Sequence, residues 1–425
     1  MIFAVKPASV TAIPALLGEN SLPLSFRIFH PASCRFPSPR VPLLAPPGRA
    51  SFGLSRGGRF KAVGDGAGQR FYSRGRYALL DAFRLAGVGV EGALLAPAYH
   101  CRTMIDPAVS LGGEVLLYAL DRQLAPDLAS LAELADACRR PVRALLLTHY
   151  FGFPQNADPI KAFCAARGIV LIEDCSHAYL QSAARPALGI HGQFVVASPY
   201  KFSPAEDGGI LVAKSGHFST LPPLRGRGVV SELKGLVRWI QRGLAARKPF
   251  VVQDALDEEI DRVCSVLGDR GTESEQAGNT TSAMYDSGEE GMSGLMTSRW
   301  IIQASEPDRI AESRRRNFAA WLAAVDGLPG CRPLFSQLPP DVVPYMFPLY
   351  VDLPDPHFYN LKRVGLPIWR WDEMGISECP VSMDYRLHLF HLPCHQALRP
   401  TEMAWMVRVL KKVMLHRPPA DPAQT

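Results

Sequence analysis

The chain has 425 residues, enough for two folded domains, because domains usually contain about 100–200 residues. With 47% apolar residues, 20% charged residues and a net charge of +6, its composition argues against a disordered chain and gives no sign of nucleic-acid binding. Nine cysteines without a Cys-x-x-Cys pair argue against a disulfide framework or a structural zinc site, and favour reduced thiols in the cytoplasm. No run of about 20 apolar residues occurs, so we expect no membrane span.

The first segment, residues 1–65, is rich in proline, serine and arginine and shows neither a helical nor a strand period. Its only acidic residue before position 65 is Glu19. Such a composition predicts a poorly ordered N-terminal extension. An organelle transit peptide has a similar composition, but the plain extension is the favoured interpretation.

From about residue 70 short apolar runs alternate with helical patterns, beginning with a helix over Tyr77–Val88. The predicted strands are Ala93–Leu95, Val115–Tyr118, Ala144–Leu147, Ile169–Ile172, Phe194–Ala197 and Ile210–Val212. Stretches with helical spacing, such as Leu128–Cys138 and Pro159–Ala166, separate several of them. This alternation predicts an α/β fold with a parallel or mixed sheet that helices cover on both faces.

The pattern changes between residues 215 and 300. Val229–Leu244 has the spacing of a basic amphipathic helix, whereas Asp269–Ser293 is polar and rich in Gly, Ser, Thr and Glu. Long stretches of that kind are usually functional or disordered, so we interpret the second as a mobile loop or lid.

Helical spacing resumes at Arg309–Val325, and the rest of the chain suggests a small α+β domain that ends in a helix. We therefore expect a large domain over residues 66–300, with the insertion at 215–300, and a small C-terminal domain over residues 301–425.

An acid and an amine follow two of the predicted strands. Asp174 comes directly after Ile169–Ile172 and Glu173, and Lys201 follows Phe194–Ala197. The carboxyl ends of neighbouring strands are where ligands bind in α/β proteins. Such a pair is what a pyridoxal phosphate (PLP) enzyme requires, since the amine bonds the aldehyde and the carboxylate keeps the pyridine nitrogen protonated.

Five motifs occur in a fixed order around this pair. They are Ser73-Arg-Gly75-Arg76, Leu94-Leu-Ala-Pro97, His149-Tyr-Phe-Gly152-x-Pro154, Glu173-Asp174-Cys-Ser-His177 and Ser198-Pro-Tyr-Lys201. Together they resemble the DegT/DnrJ/StrS sugar aminotransferases of PLP fold type I, over residues 70–213 and more loosely over 309–413. The resemblance implies a large mixed-sheet domain, a small α+β domain and a homodimer with its active sites at the subunit interface.

The resemblance assigns roles to three residues around the cofactor ring. Lys201 would bond the aldehyde and move protons on the substrate, and Asp174 would pair with the pyridinium nitrogen. His177 matches the position where the family carries Gln or His beside the ring. Without the resemblance, Lys201 could be a surface lysine after a strand, and Asp174 could cap the next helix.

The remaining matched residues concern the cofactor phosphate and the stacking position. Ser198 resembles the serine whose hydroxyl holds the phosphate. Gly75 and Arg76 precede a predicted helix, whose N-terminal N–H groups attract anions, and Arg76 would add a charge-assisted contact. Tyr99 or His100 falls where the family places an aromatic residue on the ring, and the spacing after the preceding motif leaves the choice open.

Two features depart from the family pattern. The family commonly carries a Gly-x-Asn-aromatic-Arg segment whose asparagine reaches the phosphate of the neighbouring subunit. Here Met292–Arg299 stands in that region without it. The phosphate loop also has Gly75-Arg76 where Gly-Thr or Gly-Ser is usual, and both departures leave the substrate open.

Four residues near the C-terminus have side chains that can bind a metal: His388, His391, Cys394 and His395. Their spacing is not that of a helical zinc motif, and Pro393 would interrupt any helix there. We therefore predict no metal site.

The sequence thus predicts a PLP-dependent aminotransferase that moves an amino group from a glutamate-like donor to a keto-sugar nucleotide in polysaccharide or secondary-metabolite biosynthesis. The expected partners are these small molecules and a second copy of the chain, with neither nucleic acid nor membrane. One alternative is a catalytically weak PLP-binding regulatory protein. Another is a PLP-dependent sugar dehydratase of the same family, but those enzymes typically have histidine in place of the lysine, so Lys201 argues against it.

Overall fold

The computed structural model of the protein describes residues 24–30, 34, 36–53, 57–65, 68–213, 218–252, 255–266 and 270–416. The helices are α1 (Gly75–Ala86), α2 (Arg102–Ser110), α3 (Leu128–Ala137), α4 (Asp158–Arg167), α5 (Val229–Ala246), α6 (Leu256–Ser265), α7 (Met296–Ala304), α8 (Pro307–Val325), α9 (Pro354–Arg363), α10 (Pro380–His388) and α11 (Pro400–Leu415). Within these described ranges no helix combines the length and the apolar character that crossing a bilayer requires.

The strands are β1 (Ser25–His30), β2 (Phe60–Ala62), β3 (Gln69–Tyr72), β4 (Ala93–Pro97), β5 (Glu114–Tyr118), β6 (Val142–Thr148), β7 (Val170–Asp174), β8 (Leu180–Ser182), β9 (Phe194–Ala197), β10 (Gly209–Ala213), β11 (Thr272–Ala277), β12 (Cys331–Pro333), β13 (Met346–Val351), β14 (Met374–Gly375) and β15 (Leu389–Pro393). Short 3-10 turns occur at Arg49–Ser51, Tyr150–Gly152, Pro199–Lys201 and Ser287–Glu289. Every predicted strand of the large domain is present, with boundaries that shift by one or two residues.

The large sheet has seven strands in the order β3-β10-β9-β7-β6-β4-β5. The run from β9 to β5 is parallel, while β10 is antiparallel to both of its neighbours. Alternate residues of the central strand β6 enter two different apolar clusters: Ala144 and Leu146 pack with α1 and α2, and Leu145 and Leu147 pack with α3 and α4. Both faces are covered, which explains the continuous apolar runs and confirms the predicted mixed sheet.

The C-terminal part of the chain forms a second unit around the antiparallel sheet β12-β13-β15. Trp321 of α8 and Trp405 of α11 are among its largest fully buried side chains. The apolar cluster on the α3 and α4 side of the large sheet continues into this unit, so the two parts share one core.

The described N-terminal residues are more structured than the composition predicts. β1 pairs antiparallel with both β11 and β14, and Phe26 and Phe29 are buried. The Arg102 guanidinium lies 3.2 Å from the centre of the Phe26 ring. Farther along, the Arg40 N–H donates to the Gly365 carbonyl at 3.0 Å. Isolated buried aromatic residues such as Phe26 and Phe29 produce no periodic pattern in a sequence.

The insertion contains the predicted amphipathic helix, which ends at Ala246 rather than at Leu244. The polar stretch that follows differs from the loop that we expected. It contributes β11, and the Ser282 hydroxyl donates to Asp106 Oδ2 at 2.6 Å, while the Tyr77 hydroxyl donates to the Asp286 carbonyl at 3.0 Å. These contacts hold its described residues on α1 and α2.

Candidate functional site

The acid and the amine stand at the ends of neighbouring parallel strands. β7 ends at Asp174, which lies opposite Val196 of β9. The turn Pro199–Lys201 follows β9 and is closed by a hydrogen bond from the Lys201 N–H to the Ser198 carbonyl, at 3.0 Å. The fold therefore brings Asp174 and Lys201 to the same edge of the sheet, as the order of the strands predicts.

The lysine amine faces a stacked pair of rings. Lys201 Nζ lies 5.4 Å from the centre of the Tyr345 ring, and the His177 imidazole stacks on the same tyrosine with 4.4 Å between ring centres. Burial and the nearby Lys201 charge hold the pKa of His177 well below its ordinary value, so this imidazole is neutral. Its Nδ1 is buried and has no hydrogen-bond partner among the described residues. This nitrogen is therefore available to bond a ligand beside Tyr345.

Three more side chains complete an aromatic wall around the lysine. Tyr99 packs on Trp371 with 4.6 Å between ring centres, and its hydroxyl lies 2.9 Å from His391 Nε2. Burial, with a smaller effect of the Lys201 charge, lowers the pKa of His391 to about 3. Burial also raises the pKa of Tyr99 well above its ordinary value, so this wall carries no charge at neutral pH.

Tyr99 and His100, the two candidates for the stacking position, have different surroundings. Tyr99 belongs to the aromatic wall, whereas His100 points elsewhere: its Nε2 accepts the Gly375 N–H at 3.1 Å, and its ring packs edge-on against Phe26. Trp371, Tyr345 and His391 come from the C-terminal unit. No motif marked Trp371 in the sequence, and His391 attracted attention only as a possible metal ligand.

Two hydroxyl groups meet at the N-terminus of α1. The Ser198 hydroxyl donates to Ser176 Oγ at 3.1 Å, and both serines are buried. Gly75 is the first residue of α1, and a Cβ at that position would lie 2.4 Å from Ser198 Oγ. A larger residue would force the hydroxyls to move away from the helix, whose N-terminal N–H groups are a typical anion site. The Arg76 guanidinium lies outside this cluster, where it donates to the Met284 carbonyl.

The two adjacent acids of β7 have different surroundings. Asp174 is buried, and its Oδ1 accepts the Ser176 N–H at 2.8 Å. Burial by itself raises the pKa of Glu173, but His149 at 3.0 Å and the N–H groups of Gly189 and Gly192 outweigh it and hold the value at about 2. The Glu173 carboxylate is therefore occupied by hydrogen bonds to His149 and to the loop after β8. Asp174 is the acid at the sheet edge that also carries Lys201.

The possible metal ligands have other partners. His388 Nδ1 lies 2.8 Å from the Val351 carbonyl, His395 Nε2 lies 2.9 Å from the Pro42 carbonyl, and the Cys394 thiol contacts the Tyr345 carbonyl at 3.4 Å. Together with His391, which lies beside Tyr99, these side chains point to separate partners. A different group, His149, Glu173 and Cys175, has donor atoms within 4.8 Å of one another. The hydrogen bonds of Glu173 already explain that grouping.

Residues 72–223 match the DegT/DnrJ/EryC1/StrS aminotransferase family. A curated dTDP-4-dehydro-2,3,6-trideoxy-D-glucose 4-aminotransferase of Saccharopolyspora spinosa is 28% identical over 146 residues, which are 34% of this chain and 37% of that protein. The alignment thus spans little more than a third of the curated relative.

Solved structures are similar over most of the chain. The aminotransferase TlmJ from Streptoalloteichus hindustanus has a TM-score of 0.54 at 17% identity, covering 81% of this chain and 85% of that one. AtS13 from Actinomadura melliaura has a TM-score of 0.55 at 18% identity, covering 89% and 99%. A DegT/DnrJ/EryC1/StrS aminotransferase from Brucella abortus has a TM-score of 0.54 at 16% identity, covering 83% and 87%.

These structures confirm the predicted fold, a large mixed-sheet domain of the aminotransferase type followed by a smaller unit. The segment with the family match contains Gly75, Asp174, His177, Ser198 and Lys201. The ordered motifs and the match to the DegT/DnrJ/EryC1/StrS aminotransferase family model thus agree over residues 72–223.

Proposed function

We propose that the chain is a PLP-dependent aminotransferase that transfers an amino group from a glutamate-like amino acid to a keto group of a nucleotide-linked sugar. The observation that carries the proposal is the position of Lys201 and Asp174 at adjacent strand ends, beside the serine pair at the N-terminus of α1. The name of the curated relative, a dTDP-sugar 4-aminotransferase, supports the class of acceptor. Biosynthesis of a polysaccharide or a secondary metabolite is the pathway class that we propose for the product.

The donor set fits PLP on three observations: the space that Gly75 leaves at the two hydroxyls, the buried Asp174 carboxylate, and the buried His177 nitrogen without a partner. PLP supplies an aldehyde that bonds an amine and a ring that accepts electrons. Ser198, Ser176 and the first N–H groups of α1 would hold its phosphate, and Asp174 would face its ring nitrogen.

The other residues orient the reactants and move protons. The Lys201 amine, once free, would take a proton from the substrate carbon and return one. Tyr99 and Trp371 offer flat apolar surfaces for the ring, and the neutral His177 and His391 add polar atoms without charge. A buried wall of this kind excludes water and strengthens electrostatic interactions within the site.

Absorbance spectroscopy tests the proposal. The purified protein with added PLP should absorb visible light, and glutamate or a similar donor should bleach that colour. A keto-sugar nucleotide should restore it. A coloured protein that no amino acid bleaches would instead support the PLP-binding regulatory alternative, and a protein that stays colourless with excess PLP would contradict both.

A Gly75→Ala variant should bind PLP more weakly. The new methyl group would meet Ser198 Oγ at 2.4 Å, so the hydroxyl pair must move away from the helix N-terminus. We expect the PLP concentration at half-saturation to rise about tenfold, equivalent to ~1.4 kcal/mol. An absorbance titration measures this change. Gly226→Ala is the control, since a Cβ there meets nothing within 4 Å, and equal affinities of the two variants would contradict the phosphate assignment.

We also propose that the chain works as a homodimer through the outer face of α5 and α7. Gly235 is the only buried residue of the 18-residue helix α5. Its exposed apolar side chains lie on one face: Val229, Val230, Leu233, Leu236, Val237, Ile240 and Leu244. Met296 and Trp300 of the adjacent α7 are also exposed. An amphipathic helix with its apolar stripe outward is typical of a protein-protein contact.

The opposite side of α5 is connected to the candidate site. Arg238 and Arg242 of α5 bond the Glu206 carboxylate at 2.7 and 3.2 Å, and the Glu206 carbonyl accepts from Arg74 at 3.1 Å. The Arg74 guanidinium in turn lies 4.7 Å from the centre of the Tyr200 ring, next to Lys201. A second copy on the apolar face would therefore contact the helix that borders the site on its other side.

The double variant Leu233→Asp, Ile240→Asp should be monomeric, because two carboxylates in an apolar interface cost several kcal/mol of association free energy. Sedimentation equilibrium of the variant and the wild type measures the change. Leu128→Asp, at an exposed position on α3, should remain dimeric. A monomeric wild type, or a dimeric double variant, would contradict this interface.

A further inference from the structure

Arg314 of α8 is fully buried beneath the turn that carries Lys201. Its Nη2 donates to the Lys201 carbonyl at 2.8 Å, and its Nη1 donates to the Tyr345 carbonyl at 2.9 Å and the Pro344 carbonyl at 3.2 Å. The guanidinium also lies 4.5 Å from the centre of the Phe202 ring. Within the described residues, no carboxylate forms an ion pair with it.

A buried guanidinium without a carboxylate contributes little to the net stability of a fold. Removal of one charge from water already costs several kcal/mol, and apolar side chains of similar volume often do as well or better. Arg314 does offer a rigid planar set of donors that can hold several acceptors in fixed relative positions. The residues that accept its hydrogen bonds therefore indicate the role of Arg314.

Two of those acceptors belong to residues that face each other in the site. Arg314 holds the main chain of Lys201 and of Tyr345, and the side chains of these two residues lie 5.4 Å apart, amine to ring centre. One cation therefore joins the turn after β9 to the segment that leads into β13. The relative position of the amine and the aromatic wall depends on it.

Gln396 completes the same junction from the C-terminal segment. Its Oε1 accepts from Arg314 Nε at 3.1 Å, and its Nε2 donates to the Phe202 carbonyl at 2.7 Å and to Ser51 Oγ at 2.8 Å. Two consecutive carbonyls, of Lys201 and Phe202, are thereby held by two buried side chains of the C-terminal unit.

We propose that Arg314 is a positioning residue, which fixes the Lys201 turn against the Tyr345 segment and so sets where the amine stands. The catalytic consequence rests on the proposed function, whereas the positioning of the turn does not. Lysine cannot substitute fully, because an ammonium group is a single point charge that cannot span acceptors on three segments.

Arg315, the next residue of α8, provides a matched control. It also donates to two carbonyls, of Pro339 and Val342, but neither residue lies at the site. Arg315→Met thus removes an arginine and its two carbonyl contacts from the same helix, away from the Lys201 turn. A difference between Arg314→Met and Arg315→Met reports on the turn rather than on the general stability of the C-terminal unit.

Hydrogen exchange in the protein without added PLP tests the positioning. The N–H groups of Lys201, Phe202 and Ser203 are bonded to the Ser198 and Pro199 carbonyls. In Arg314→Met these amides should exchange about tenfold faster than in the wild type, equivalent to ~1.4 kcal/mol of local opening free energy, and in Arg315→Met they should not change. Arg314→Lys should give an intermediate rate and serves as the test if Arg314→Met does not fold. Equal exchange in the Arg314 variants and in Arg315→Met would overturn the proposal.

Kinetics then test the consequence for the reaction. Arg314→Met should lower kcat about a hundredfold and leave the KM for the sugar nucleotide nearly unchanged, since a displaced amine affects proton transfer rather than acceptor binding. Faster exchange in Arg314→Met together with an inactive wild type would defeat the proposed function and support the positioning role. An active wild type with equal kcat for the Arg314 and Arg315 variants would overturn the role of Arg314.

Discussion

Lys201→Ala should lower kcat for amino transfer by about 10⁴-fold or more. The amine is expected both to bond the cofactor and to carry the proton, and proton transfer alone contributes about 10²–10⁴-fold in enzymes. The residue occupies the turn after β9, at the edge where Asp174 ends β7. Single-turnover absorbance measurements with an amino donor separate the chemical step from binding.

The matched control is Lys161→Ala, at an exposed position on α4, which should retain the wild-type rate. Lys201→Ala should still bind PLP, because the serine hydroxyls and the α1 N-terminus are unchanged. Retention of more than a hundredth of the wild-type kcat by Lys201→Ala would show that a different group performs the reaction.

Asp174→Asn should lower kcat by about 10³-fold, which corresponds to ~4 kcal/mol of transition-state free energy. The amide keeps the shape of the carboxylate and can still accept the Ser176 N–H, which lies 2.8 Å from Asp174 Oδ1 in the wild type. It cannot stabilise a proton on the pyridine nitrogen. The electron-accepting ability of the ring should fall while PLP still binds.

Pre-steady-state bleaching by the amino donor measures this loss, and Asp136→Asn, at an exposed position on α3, is the control. The affinity for PLP should change much less than the rate of bleaching. An Asp174→Asn variant with the wild-type rate would remove Asp174 from the mechanism and direct attention to another acid at the site.

The core of the fold was predictable because its strands are buried on both faces. A strand covered by helices on both sides, such as β7 or β9, appears in the sequence as an uninterrupted apolar run, and its first polar residues mark the edge of the sheet. Glu173 and Ser198 are such residues, and Asp174 and Lys201 follow them within three positions. Helical spacing of apolar residues identified α5, although its apolar face is exposed in the structure.

The parts that depend on tertiary contacts were not predictable. β11 consists of polar, largely exposed residues that are held by pairing with β1, so its sequence has the character of a loop. Trp371 and Arg314 reach the site from the C-terminal unit, more than a hundred positions away from Lys201 in the chain. Their roles follow from packing between two units, which local patterns do not encode.

The most direct measurement of the central claim is peptide mass spectrometry after borohydride treatment of the wild type with PLP. We expect one stable pyridoxyl phosphate adduct, on the peptide that contains Lys201, formed at substoichiometric PLP and absent from Lys201→Ala. Lys161 and other exposed lysines should react only at large excess. The absence of an adduct, or its equal distribution over surface lysines, would contradict the assignment of Lys201 as the PLP-binding residue.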